Sequence, residues 1–125
     1  MSVWMPYGKK MNYKIIWKDF QFIEGYRKIS LDRLLYIESK LHRLEFYVQE
    51  DELVIYTLYQ TLNALENEFS GFNFLRTHQS YLVNMRYIKR LTRYSVLLSN
   101  GTRLEIPKVR YKHVEEAFIA YKGEM

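Results

Sequence analysis

The chain has 125 residues, 48% hydrophobic and 17% aromatic, with 19 basic against 14 acidic side chains and a formal charge of +5. That length suits one domain able to bury a core without metal or disulfide help, and the composition excludes general disorder. With no cysteine, disulfides, thiolate catalysis and cysteine zinc sites are excluded, which agrees with a reducing, cytoplasmic setting.

Residues 1–24 read as an N-terminal leader or arm and residues 25–125 as the folded domain. MSVWMPYGKKMNYK has neither strong periodicity nor the continuous apolar core of a signal peptide, and no run in the chain approaches the roughly 20 apolar residues that span a bilayer. YKIIW (13–17) fits a first strand or an arm without regular structure. KISLD (28–32) alternates, and RLLYIES (33–39) is a short apolar run with a polar end, both strand-like. HRLEFYVQ (42–49) puts Leu44, Phe46 and Val48 on one face and Arg43, Glu45 and Tyr47 on the other. Acidic QEDE (49–52) is a turn, and LVIY (53–56) pairs back as a hairpin. The period then changes: Leu58, Leu62, Leu65 and Phe69 line one face of a helix. Thr57 with Gln60 predicts a capping box at its start, and Gly71 a left-handed stop. Strands return in FNFLR (72–76), YIKRLTR (87–93) and YSVLLS (94–99), with Asn100-Gly101 as a type I′ turn into TRLEI (102–106). After Pro107, the spacing of Val114, Ala117, Phe118 and Tyr121 predicts a closing amphipathic helix. The expected domain is mostly β with one internal and one terminal helix, and Tyr36, Phe46, Leu62, Phe69, Val83 and Phe118 are expected in its core.

Charge is unevenly spread. No acid occurs between Glu68 and Glu105, whereas Arg76, Arg86, Lys89, Arg90, Arg93 and Arg103 all fall in that interval; an even spread would place about four acids there. Catalysis is not expected. His42, His78 and His113 lie in different elements without metal-ligand spacing, five glycines form no phosphate loop, and neither a Gly-rich elbow nor a nearby carboxylate accompanies His78 and Ser80. A nucleic acid suits the residues better. Arg and Lys neutralise phosphates, and the planar edges of Gln, Arg and His pair with base edges in a major groove. Basic residues among tyrosines also suit stacking on single-stranded RNA, although the RNP signature of that use is absent. A single-stranded RNA-binding module and a protein-interaction module therefore stand as alternatives. Arg76, Lys89, Arg90 and Arg93 face phosphate or solvent on this reading.

The segment from Phe74 to Asn84 has the form F-x-R-x-H-x-S-x-x-V-N, and the run RTHQSYLVNMRYIKRL resembles the hallmark of the LytTR family of bacterial DNA-binding domains. ISLDRLLYIES with HRLEF is similar to that family's opening strands, and SVLLSNGTRLEIPKVRYKHVEEAF to its closing strands and final turn, so the resemblance covers about residues 25–120. One departure is visible: many members carry a serine where this chain has Lys108-Val109. The resemblance implies an elongated arrangement of small antiparallel sheets with an internal helix and a short C-terminal helix, whose loops enter successive major grooves of duplex DNA. Carried onto this chain, base contacts fall on His42, Gln79 and Arg110, and phosphate contacts on Lys40, Arg43, Ser80, Lys108 and Lys112. Arg110 lies in the first turn of a predicted helix, where the macrodipole disfavours a cation unless an anion is near. Arg76, His78 and Asn84 are expected to brace loops by hydrogen bonds. The partners implied are repeated half-sites on double-stranded DNA, a homodimer on that DNA, and a membrane or protein inhibitor as a route of control. No cofactor, metal or small-molecule substrate is implied. Such domains usually follow a phosphorylated receiver, and only about 25 residues precede the motif region here, so a stand-alone regulator or a fragment of a longer one is expected.

Overall fold

The computed structural model describes residues 2–4, 10–12 and 14–123. Two three-residue strands, β1 (Ser2–Trp4) and β2 (Lys10–Asn12), pair antiparallel in the stretch expected to lack regular structure. Strands this short leave no alternation to read. A hairpin of β3 (Trp17–Phe22) and β4 (Gly25–Ser30) follows and straddles the expected division at residue 24. Of the stretch YKIIW only Trp17 is in a strand; residues 14–16 have no regular structure, and residue 13 lies outside the described residues. The hairpin belongs to the core because its inward side chains, Phe20 and Phe22, are buried. KISLD does not run through as one strand, since β4 ends at Ser30 and Leu31–Arg33 form a 3-10 turn.

The centre is a five-stranded antiparallel sheet built from β5 (Leu34–Lys40), β6 (Arg43–Gln49), β7 (Leu53–Leu58), β8 (Phe74–His78) and β9 (Tyr81–Asn84). Its strand order is β7-β6-β5-β9-β8. Both of its faces are covered, each by a separate core. Ile37, Leu44, Phe46, Val48 and Leu82 meet Phe20, Phe22, Leu62, Leu65 and Phe69 on one side. Tyr36, Leu75 and Val83 meet Val96, Leu98, Leu104 and Val114 on the other. Each fully buried side chain of this kind contributes about 1.5–3 kcal/mol, so the strict alternation of β6 is what commits it to the middle layer.

Between β7 and β8 lies α1 (Leu62–Glu68), shorter than expected. Thr57 does not cap it. That residue is still in β7, opposite Glu45, and its N–H donates to Glu24 Oε1 at 2.8 Å. Strand pairing holds Thr57 and Leu58, and the cap passes to Thr61, whose hydroxyl accepts from the Ala64 N–H at 3.2 Å. Gly71 takes the left-handed conformation, φ +87°. A 3-10 turn at Met85–Tyr87 leads into a three-stranded sheet of β10 (Ile88–Thr92), β11 (Ser95–Leu98) and β12 (Arg103–Glu105). The β11–β12 connection is not a type I′ turn. Gly101 has positive φ whereas Asn100 does not, and the Asn100 side chain accepts from the Thr102 N–H at 3.1 Å. The closing helix α2 (Lys108–Gly123) spans 16 residues and buries Val114 fully. Phe118, expected in the core, is half-buried, because it packs at the rim of the second cluster beside Tyr121. The other five expected core residues are buried.

Candidate nucleic-acid interface

The β5–β6 hairpin stays paired to its tip, where Lys40 stands opposite Arg43. What the sequence suggests as a loop is therefore a two-residue turn, Leu41-His42, with φ of +43° and +68°. Two positive φ values are the type I′ pattern, which matches the strand twist but strains residues other than glycine or asparagine. The turn holds His42 outward in solvent, beside a Leu41 that is 89% exposed.

A second turn, Gln79-Ser80, joins β8 to β9. The His78 ring braces it by accepting the Ser80 N–H at Nδ1, 2.9 Å. Arg76 braces it further: Nε donates to the carbonyls of His78 and Gln79, each at 3.1 Å, and Nη2 also donates to Gln79 O. Its Nη1 reaches Asn63 Oδ1 and Glu66 Oε1 on α1, both at 2.9 Å. A guanidinium with all these partners and 12% side-chain exposure ties the turn to α1. The two turns are neighbours, because the Ser39 N–H donates to Ser80 O at 2.8 Å. His42, Gln79 and Ser80 line one cleft of about 470 Å³ with Arg76 and Asn63. Gln79 is exposed there and Ser80 half-buried.

The start of α2 is the third part. Half-buried Arg110 donates from Nη1 to Arg76 O at 3.4 Å, so its backbone attachment is the same residue that holds the Gln79 turn. Lys108 and Lys112 are exposed, and neither is ion-paired among the described residues. The cations of the β5–β6 hairpin differ: Lys40 lies 3.3 Å from Glu45 and 3.8 Å from Glu38, and Arg43 lies 3.6 Å from Glu45. Asn84 is not on this surface. It is buried, donates from Nδ2 to Leu31 O at 3.2 Å and Leu34 O at 3.0 Å, and accepts the Arg86 N–H at 3.1 Å. In the acid-free interval Arg86 pairs with Asp32 at 3.5 Å, while Lys89, Arg90 and Arg93 are exposed.

Below the hairpin tip the Tyr36 and Tyr47 rings stack at 4.2 Å. Burial, with the Glu38 carboxylate nearby, pushes the Tyr36 phenol up to about 12. The Tyr47 phenol is raised too, by burial first and by Tyr36 and Glu45 after it. Among the described residues no cluster of His, Asp or Glu is arranged to hold a metal ion, and no helix is long and apolar enough to cross a membrane. Sequence reasoning missed Thr61, Asn63 and Glu66, which hold the helix and through it Arg76; only the Thr61 hydroxyl ahead of Leu62 carries a local signal.

Residues 24–119 match the LytTr DNA-binding domain family, and the chain belongs to it. DNA binding, not catalysis, is what defines that family. The fold is shared with a solved structure described as the LytTr DNA-binding domain of a methyl-accepting/DNA response regulator from Bacillus cereus. The TM-score is 0.66 at 21% identity, over 85% of this chain and 97% of that one. No curated protein matches the chain.

Proposed function

We propose that this chain is the sequence-specific DNA-binding part of a bacterial transcriptional regulator, cytoplasmic, whose turns read successive major grooves of duplex DNA. His42, Gln79 and Arg110 meet base edges. Gln79 has the amide geometry for adenine, Arg110 the fork for guanine, and His42 a donor for a guanine acceptor. Ser80, Lys108 and Lys112 take phosphates, joined by Lys40 and Arg43, which must first leave their carboxylates. The observation that carries this reading is Arg76, whose side chain holds the Gln79 turn while its backbone carbonyl receives Arg110. With the Ser39 N–H on Ser80 O joining the β5–β6 hairpin to the same turn, three separate elements present their polar tips as one unit. DNA binding is assigned to residues 25–125, with β3 bracing that unit through Phe20 and Phe22. Since the B. cereus domain belongs by its description to a response regulator, output of a two-component system is the proposed biological role. Two copies on repeated half-sites, with a bend between them, complete the proposal: grooves that recur once per helical turn let two copies lie on one DNA face, and a bend lets deformability add to specificity.

Selection from a randomised duplex library tests this. An enriched repeated motif is expected, bound more tightly than its scrambled sequence or single-stranded RNA at each of two salt concentrations. Equal affinity for all duplexes, or a preference for RNA, would overturn the reading. On the selected site, Arg110→Ala should cost about 1–3 kcal/mol and relax the preference at one base pair, whereas Lys112→Ala should weaken every sequence alike.

A further inference from the structure

Three successive cross-strand pairs climb the β5–β6 hairpin toward its turn: Tyr36 opposite Tyr47, Glu38 opposite Glu45, and Lys40 opposite Arg43. Residues directly opposite share a face, so an acidic rung lies immediately beneath a basic one. Each like-charge rung is unfavourable by itself, and the two relieve each other. Glu45 does most of this, at 3.3 Å from Lys40 and 3.6 Å from Arg43. The Tyr47 hydroxyl donates to Glu45 at 3.0 Å and fixes it under the basic rung, where 14% of its side chain is exposed. Two acids and two bases sum to zero beside the turn that carries His42. Partly exposed ion pairs add little stability, and a neutral rung would avoid both repulsions. The arrangement has a different consequence, for DNA. A cation already neutralised by a carboxylate releases no counterion from DNA unless it first changes partner, and the carboxylate left behind repels the phosphate.

We infer that Glu45 is a specificity-determining residue, which withholds Lys40 and Arg43 from phosphate on non-cognate duplex and yields them only where the Leu41-His42 turn is seated. The inference rests on the duplex-DNA reading above. On scrambled DNA the wild-type protein then uses cations such as Lys108 and Lys112, and the hairpin contributes contacts only on the selected site.

Titration of scrambled duplex across a salt series tests it, with melting curves to verify the fold of each variant. Glu45→Gln should bind scrambled duplex about 3- to 10-fold more tightly at low salt, with a log–log salt slope steeper by about 1–2, and gain less on the selected site. Adding Lys40→Gln to Glu45→Gln should return the scrambled-duplex affinity toward wild type. Glu38→Gln, which leaves both Glu45 ion pairs in place, should give a smaller gain of the same sign and serves if Glu45→Gln folds poorly. An unchanged slope and affinity in both single variants overturns the inference alone, as does an equal loss on scrambled and selected DNA, the mark of a purely structural Glu45. A wild-type chain that binds no duplex overturns the duplex-DNA reading and the inference with it.

Discussion

Asn84 shows how one amide joins distant parts of the chain. Its Nδ2 satisfies the carbonyls of Leu31, the first residue of the first 3-10 turn, and of Leu34, just after it, and its Oδ1 caps the second through the Arg86 N–H. The Leu31 carbonyl also accepts the Leu34 N–H and would keep that donor. Removing the amide still takes one bond from each of two carbonyls and the cap from Arg86, and a buried polar group left short of a partner bears the cost of its desolvation. Asn84→Ala is therefore expected to lose about 2–3 kcal/mol, seen as a lower urea midpoint with an unchanged m-value. None of its bonds reaches His42, Gln79 or Arg110, so DNA affinity measured well below the midpoint should persist; a variant of wild-type stability would refute this role. Half of the role is legible in the sequence. A short polar side chain before a turn predicts the local cap, but nothing local points to carbonyls 50 and 53 residues away.

At the scale of elements, α1 separates what periodicity reveals from what it hides. Leu62, Leu65 and Phe69 bury one helical face as their spacing predicts, yet Leu58 fits that spacing while ending a strand. Residues at a strand end and at a helix start satisfy both patterns, and pairing with β6 decides between them. Thr61 is the working cap, and Thr61→Ala should cost about 1 kcal/mol, measured as a shift in the unfolding midpoint. Thr57→Ala leaves the cap intact and should show no such helix-capping loss. Because α1 supplies Asn63 and Glu66 to Arg76, the Thr61 variant should also loosen the Gln79 turn, visible as faster amide exchange at Ser80. Unchanged exchange there would disconnect the helix from the interface. Turns follow the same lesson: Leu41-His42 lacks the Asn or Gly that marks a type I′ turn and forms one, because strand pairing to Lys40 and Arg43 leaves only two residues to connect. Asn100-Gly101 carries the signal and closes a longer loop instead, with Leu98 N–H bonded to Thr102 O.

For the whole molecule, covering both faces of one sheet requires a second core, and this chain fills the lower part of it with tyrosine. Tyr36 is buried against Tyr47, and Tyr47 and Tyr81 pack on the same cluster. Burial raises Tyr36 to about 12, and Tyr47 and Tyr81 in the same direction, whereas an unfolded chain ionises its tyrosines near 10. Between those values the native state holds protons that the unfolded state has released, so stability falls as pH rises. The contribution is complete below about pH 10 and disappears as pH passes about 12. Tyr36→Phe keeps the ring stack and the apolar volume but removes one such proton. Urea midpoints measured from about pH 8 to about pH 11.5 at constant ionic strength should fall less steeply in this variant than in the wild type. The difference between the two curves reports Tyr36 together with its influence on the stacked Tyr47, since the lysines of a chain with net charge +5 titrate in both. Parallel curves across that window would mean that the native state leaves the Tyr36 phenol as free to ionise as the unfolded chain does, and that the stacked pair is not a dry part of the second core.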